Sequence, residues 1–110
     1  MKEIEFKEED GQDLDKIIEE KKDAPTFVDF NATWCGPCKA LKPQLKKICK
    51  DNNFNFISVD VDDNPDISEK YEVQGIPYVA VFVKGKKVYD FTGNTQDKIN
   101  QAIEIAKKIK

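Results

Sequence analysis

The sequence predicts an α/β domain built on a mixed sheet, and three observations carry that prediction. Strand and helix patterns alternate in the order βαβαβα, which calls for parallel strands joined by crossover helices. One run, TFVDFNA at residues 26–32, is nearly continuous in apolar and β-prone residues, the mark of a strand buried on both faces. The chain then closes with two strands around a tight turn and a last helix, so antiparallel strands join the parallel set. The expected domain spans residues 1–110, with no linker, internal repeat or low-complexity stretch.

The elements follow in order. Ile4 and Phe6 alternate with charged neighbours, as in a short first strand. Leu14, Ile17 and Ile18 fall at helical spacing, with acids early and Lys21 and Lys22 late, as the helix dipole prefers; Pro25 ends that helix. After the 26–32 strand, Cys38, Leu41, Leu45, Ile48 and Cys49 recur at threes and fours, predicting a helix over roughly residues 35–51. Pro43 falls inside it, where a lost hydrogen bond and a steric clash cost about 3 kcal/mol and predict a kink. FNFISVDV, residues 54–61, is a third strand, and Asn64-Pro65 supplies an N-cap and first-turn pair for a short helix carrying Ile67 and Tyr71. YVAVFV, a KGK turn and KVYDFT form the hairpin. The last helix follows Gly93 and Asn94, with Ile99, Ala102, Ile103, Ala106 and Ile109 as its apolar stripe.

Composition removes several classes of function. There is no histidine, so serine–histidine and cysteine–histidine hydrolases and zinc sites with histidine ligands drop out together. Acids and bases interleave to a net charge of −3, and no like-charge run exceeds the three of Glu8, Glu9 and Asp10. That pattern offers no basic stripe for nucleic acid and no polybasic membrane anchor. The longest apolar run is six residues, and the first ten residues lack a signal-type apolar core, so a cytoplasmic protein is expected. Three cysteines are too few, and odd in number, for a secreted disulfide framework.

The chemistry gathers at TWCGPCK, residues 33–39. Cys35 and Cys38 sit where the buried strand hands over to a helix. An i, i+3 pair there brings the Cα atoms within disulfide reach, on the order of 5–6 Å. Free amides and the dipole at a helix start stabilise a thiolate, the nucleophile of thiol exchange. Cys35, at the very end, is expected to be the exposed sulfur of depressed pKa, and Cys38, one turn in, the more buried one. A staple and half a zinc site remain as alternatives. The staple would close too short a loop to add much entropy, and zinc would need Cys49 with a carboxylate, or a second chain.

Gly36 lets a partner backbone come close, while Pro37 stiffens a first helical turn without wasting an N–H. Asp29 stands among Phe27, Val28 and Phe30, where ionisation is costly; a raised carboxyl near Cys38 is placed to take that thiol's proton. Cys49, on an apolar face, reads as a buried inert thiol. Gly75-Ile76-Pro77 opens a central strand in a way sheet rules allow only at a strand start or with a cis bond. Trp34, beside the sulfurs, reads either as an exposed docking surface or as a cap on the core.

Taken together, VDFNATWCGPCK, the mid-helix Pro43, VDVDDNP, VQGIP and Gly93 resemble the thioredoxin family across nearly the whole chain. The resemblance implies the thioredoxin fold, a five-stranded mixed sheet flanked by four α-helices, with a cis bond before Pro77. It implies a Cys35–Cys38 redox disulfide that reduces disulfides of protein substrates: Cys35 attacks, Cys38 resolves and Asp29 assists. Gly36, Pro37 and Lys39 then support the motif, and Trp34, Gly75, Ile76, Pro77 and Gly93 form the docking groove. It further implies a monomer with no metal and no bound cofactor, recharged by a thioredoxin reductase that draws on NADPH.

Three positions depart from the family pattern. Asn31 stands where many members carry tryptophan and some serine, which alters packing behind the dithiol. Tyr78 follows Pro77 where threonine is usual, a bulk that bears on partner choice. Ser58 stands where bacterial members often have a lysine, and loss of that cation predicts a still higher Asp29 pKa. Two other functions are consistent with the motif. One is a disulfide oxidase or isomerase, disfavoured by proline where such enzymes commonly have histidine; the other is a redox-independent binding module using the Trp34–Pro77 face.

Overall fold

A computed structural model describes residues 2–109. Its strands are β1 (Glu3–Glu5), β2 (Thr26–Asn31), β3 (Asn55–Asp60), β4 (Tyr78–Val83) and β5 (Lys86–Thr92). Its α-helices are α1 (Leu14–Glu20), α2 (Gly36–Asn52), α3 (Pro65–Lys70) and α4 (Gln96–Ile109), with one 3-10 turn at Glu8–Asp10. The sheet runs β1-β3-β2-β4-β5; β2 pairs parallel with β3 and antiparallel with β4. The predicted order and mixed character both hold.

β2 is central, and every one of its residues is buried. Its alternate side chains feed two cores. Phe27 joins Leu41, Leu45, Phe54, Phe56 and Ile99 on the face covered by α2 and α4; Val28 and Phe30 join Phe6, Leu14, Ile18 and Ile57 on the opposite face. Each large side chain buried this way contributes about 1.5–3 kcal/mol. Asp29 and Asn31, in step with Phe27, therefore point to the α2 side, as does Ser58, in step with Phe56. On α4 the buried stripe is Ile99, Ala102 and Ala106, with Ile103 partly buried; the Ile109 side chain lies outside the described residues. α2 runs on through Pro43, since the helix on either side is held by Leu41 and Leu45 in the core.

The hairpin turn has positive φ at both Lys84 (56°) and Gly85 (82°), as a two-residue loop between right-twisted strands requires. The peptide before Pro77 is cis. Gly93, at φ 98°, holds a left-handed conformation that a side chain would strain, and its N–H donates to the Pro77 carbonyl (2.8 Å).

The start of α3 differs from expectation. Asn64 is the capping residue by position, yet its side chain makes no cap bond. It turns inward instead, accepting from the Glu8 N–H (2.8 Å) and donating to the carbonyls of Asp60 (2.9 Å) and Phe6 (3.3 Å). The Glu8 carboxylate caps the helix, accepting from the N–H groups of Ile67 (3.0 Å) and Asp66 (3.3 Å). Burial explains the exchange. A fully buried Asn64 satisfies three backbone groups there, and a half-buried acid from across the fold meets the free amides and positive dipole end. Glu8→Ala is expected to cost about 1 kcal/mol, and Asn64→Ala about 2 kcal/mol, in urea unfolding at neutral pH.

Candidate active site

The end of β2 delivers the chain directly into α2, with Cys35 as the N-cap residue. The two sulfurs are joined, Cα atoms 5.3 Å apart, within the predicted reach. The N–H of Cys38 donates to the Cys35 sulfur (3.2 Å), so a first-turn amide faces the atom expected to carry negative charge. Gly36 and Pro37 complete the exposed first turn, and the space beyond Gly36 is open. Lys39 is exposed one turn in, its N–H on the Cys35 carbonyl (3.3 Å).

The expected contrast in exposure is small. Cys35 is 5% exposed and Cys38 3%, because Ala32, Ile76 and Val61 pack around the closed disulfide. What separates the sulfurs is hydrogen bonding: the first-turn N–H points at Cys35. Trp34 is the exposed large apolar side chain, at 68%, which favours the docking reading over a core cap. Its indole N–H donates to Asp62 (2.8 Å), a partner that sequence reasoning missed. Asp62 lies in the acid-rich loop after β3, and nothing local to Trp34 marks it.

Of the predicted groove residues, Ile76 packs on the two cysteines, and buried Pro77 is tied to Gly93 by the backbone bond above. Gly75 is exposed, its α-carbon close enough to Thr92 that an added methyl would touch that side chain at 3.4 Å. Tyr78 does not belong here. Its ring lies against Phe30 on the opposite face of the sheet (5.5 Å between centroids), and its hydroxyl donates to Asp90 (2.8 Å). Strand alternation puts consecutive side chains on opposite faces, which turns the bulk of Tyr78 away from the sulfurs.

Asp29 is fully buried on the α2 side of β2, and burial pushes its pKa up to about 6. Asn31 pulls the other way. Its side-chain nitrogen donates to Asp29 Oδ2 (3.3 Å), to the Asp29 carbonyl (3.1 Å) and to Ser58 Oγ (2.9 Å). Asp29 Oδ1 has no hydrogen-bond partner among the described residues. The cation missing at Ser58 is partly replaced by Lys42 of α2, which favours the carboxylate, while Glu5 opposes it; Lys42 and Glu5 are themselves paired at 3.6 Å. Neither was legible beforehand, since both reach the acid from other elements. A groove of about 490 Å³, lined by Glu5, Asn31, Cys38, Lys39, Lys42 and Asp60, opens beside this cluster.

Cys49 is fully buried, its thiol pushed up to about 12 by burial, which leaves it inert at neutral pH. Among the described residues no cluster of ligating side chains forms a metal site, and no helix is long and apolar enough to cross a membrane.

The thioredoxin family profile matches residues 5–105. Thioredoxin of Oryctolagus cuniculus is 43% identical over 89 residues, spanning 80% of this chain and 85% of that protein. Thioredoxin of Homo sapiens is 43% identical over 82 residues, 74% of this chain and 78% of that one. The solved structure of reduced Schistosoma mansoni thioredoxin matches with a TM-score of 0.83 at 33% identity, covering 96% of this chain and 99% of the other.

Burial of Asp29 sets a pH dependence of stability. An ordinary aspartate ionises near 3.8 and this one near 6, so the unfolded chain holds fewer protons between those values and stability falls as pH rises through them. Asp29→Asn removes that loss. The variant is expected to match the parent below about pH 4 and to exceed it by on the order of 2–3 kcal/mol above pH 6, measured by urea unfolding across the range.

Proposed function

The chain belongs to the thioredoxin family and is a thiol–disulfide oxidoreductase, and we propose that it reduces disulfides of protein substrates with Cys35 attacking and Cys38 resolving. The observation that carries these roles is the pair at the α2 start, with the Cys38 N–H on the Cys35 sulfur. In the reduced protein, that donor and the helix dipole favour a thiolate on Cys35. The thiolate attacks one sulfur of the substrate disulfide, forming a mixed disulfide and releasing the first substrate thiolate. Cys38 then gives up its proton and attacks Cys35. The Cys35–Cys38 bond forms, the second substrate sulfur leaves as a thiol, and two electrons have passed from dithiol to substrate.

Asp29 takes the Cys38 proton in this scheme. A carboxyl titrating near 6 is mostly ionised at neutral pH yet basic enough to accept a proton. Gly36, Pro37 and Lys39 hold the active turn, and Trp34, Gly75, Ile76, Pro77 and Gly93 form the rim on which a substrate docks. Exposure of Trp34 and contact of Ile76 with the sulfurs support that assignment.

The remaining parts of the proposal concern its setting. A thioredoxin reductase drawing electrons from NADPH returns the disulfide to the dithiol, and no cofactor binds this chain itself. The protein acts as a monomer, as a single domain over residues 1–110, without nucleic acid or membrane; interleaved surface charges at a net −3 support this. A cytoplasmic location suits a reductant, since thiols are kept reduced there. Neither the oxidase or isomerase reading nor the redox-independent binding reading is favoured by the relatives above.

In a coupled assay with NADPH, a thioredoxin reductase and insulin, Cys35→Ser is expected to abolish turnover. Cys38→Ser is expected to accumulate a substrate adduct, visible on a non-reducing gel and lost with added thiol. Parental turnover by either variant refutes the assigned roles, and a strongly oxidising potential for the dithiol refutes the reductase reading.

A further inference from the structure

Three acceptor oxygens converge on the Asn31 side-chain nitrogen: Asp29 Oδ2, the Asp29 carbonyl and Ser58 Oγ. That favours the nitrogen in this place, because the amide oxygen there would meet the Asp29 carbonyl and carboxylate with only the Ser58 hydroxyl able to donate to it. The carboxylate of Asp29 is thereby made unequal. Oδ2 is held by the amide, while Oδ1 is buried and has no hydrogen-bond partner among the described residues. An unpaired buried carboxylate oxygen is costly to keep charged, and that cost is relieved when the oxygen takes a proton.

Asn31 also lines the groove that Cys38 lines, whereas Asp29 does not. The amide thus forms the wall between the solvated groove and the acid. Ser58, the register partner of Asp29 on β3, accepts from Asn31 and keeps the amide in place. The other groups facing Asp29 are few. Lys42 comes from α2, Glu5 comes from β1, Val79 is its apolar partner on β4, and Cys49 lies further along α2.

We propose that Asn31 is a positioning residue for proton transfer during resolution: its amide clamps Oδ2 and leaves Oδ1 as the oxygen that receives the Cys38 proton. This rests on the reading of Asp29 as proton acceptor and adds how the acid is aimed and tuned. The balance is that of the second exchange step. The Cys38 S–H bond breaks and Oδ1 takes the proton; the Cys38 sulfur bonds Cys35 as the bond from Cys35 to substrate breaks. The proton then passes to the departing substrate sulfur, leaving Asp29 ionised again. Donation from Asn31 stabilises that ionised form, so losing it raises the pH at which Asp29 can act.

A role limited to walling off water predicts the opposite sign, because admitting water would ease ionisation of the acid. The test uses Asn31→Leu, which keeps the bulk of the wall and removes the donor, alongside Asn31→Ala, which removes both. Asp29 is titrated by carbon NMR of the labelled carboxyl in the oxidised protein. Resolution is read as the second thiolate released in single-turnover reduction of a small aromatic disulfide, at a series of pH values.

In Asn31→Leu the Asp29 midpoint and the inflection of the second release are expected to move up by about one pH unit, and in Asn31→Ala by less, because water admitted there eases ionisation. Below the parental midpoint, second release should slow about tenfold, with first release unchanged. A midpoint left in place or lowered in Asn31→Leu overturns the proposal. Asp29→Asn separates it from the reading beneath it. If that variant resolves at the parental rate, Asp29 is not the acceptor; if it resolves slowly while Asn31→Leu shifts nothing, the role of Asn31 alone fails.

Discussion

Strand β2 lies between β3 and β4 with helices against both faces, so a polar side chain on it has only protein to bond with. That dryness organises the site. It holds the last residue of the strand firmly enough for the next turn to begin α2 at a fixed point, and it sets Cys35 at the tip of the helix. The same dryness makes Asp29 a reluctant carboxylate, raised by loss of solvent far more than it is lowered by any neighbour. Nucleophile and acid are therefore two products of one buried strand, one at its end and one within it.

The two sulfurs illustrate how the fold makes unequal partners from equal atoms. Exposure barely distinguishes them once the disulfide is closed. The difference is directional: an amide of the first helical turn aims at Cys35, and among the described residues none aims at Cys38. Such a donor costs no reorganisation when charge develops on the sulfur, which is the economy of a preorganised site.

Much of this was legible in the sequence, for a physical reason. β2, α2 and the Gly75-Ile76-Pro77 entry are governed by local pattern: apolar continuity, helical spacing, and the limits proline puts on a strand. Cys35, Cys38 and Asp29 sit within ten residues of one another, so placing those elements places them too. What escaped notice came from far along the chain. Lys42 and Glu5 approach Asp29 from two other elements, Asp62 holds Trp34, and Glu8 caps a helix nearly sixty residues away. Tyr78 differs again. Its bulk stood out beside Pro77, but the alternation of a strand sends neighbours to opposite faces, and no local signal tells which face a residue takes. Asn31 was noticed only as a departure; its bonds to Asp29 and Ser58 depend on the β2–β3 register, which no local pattern encodes.

Cys49 gives the chain a chemical tally of its own folding. In the folded protein it is withheld from an alkylating reagent, because it is sealed in the core and held protonated. Any opening that lifts α2 from the sheet uncovers it. The label on Cys49 then records how often the core itself comes apart, independently of the traffic of electrons through the other two sulfurs.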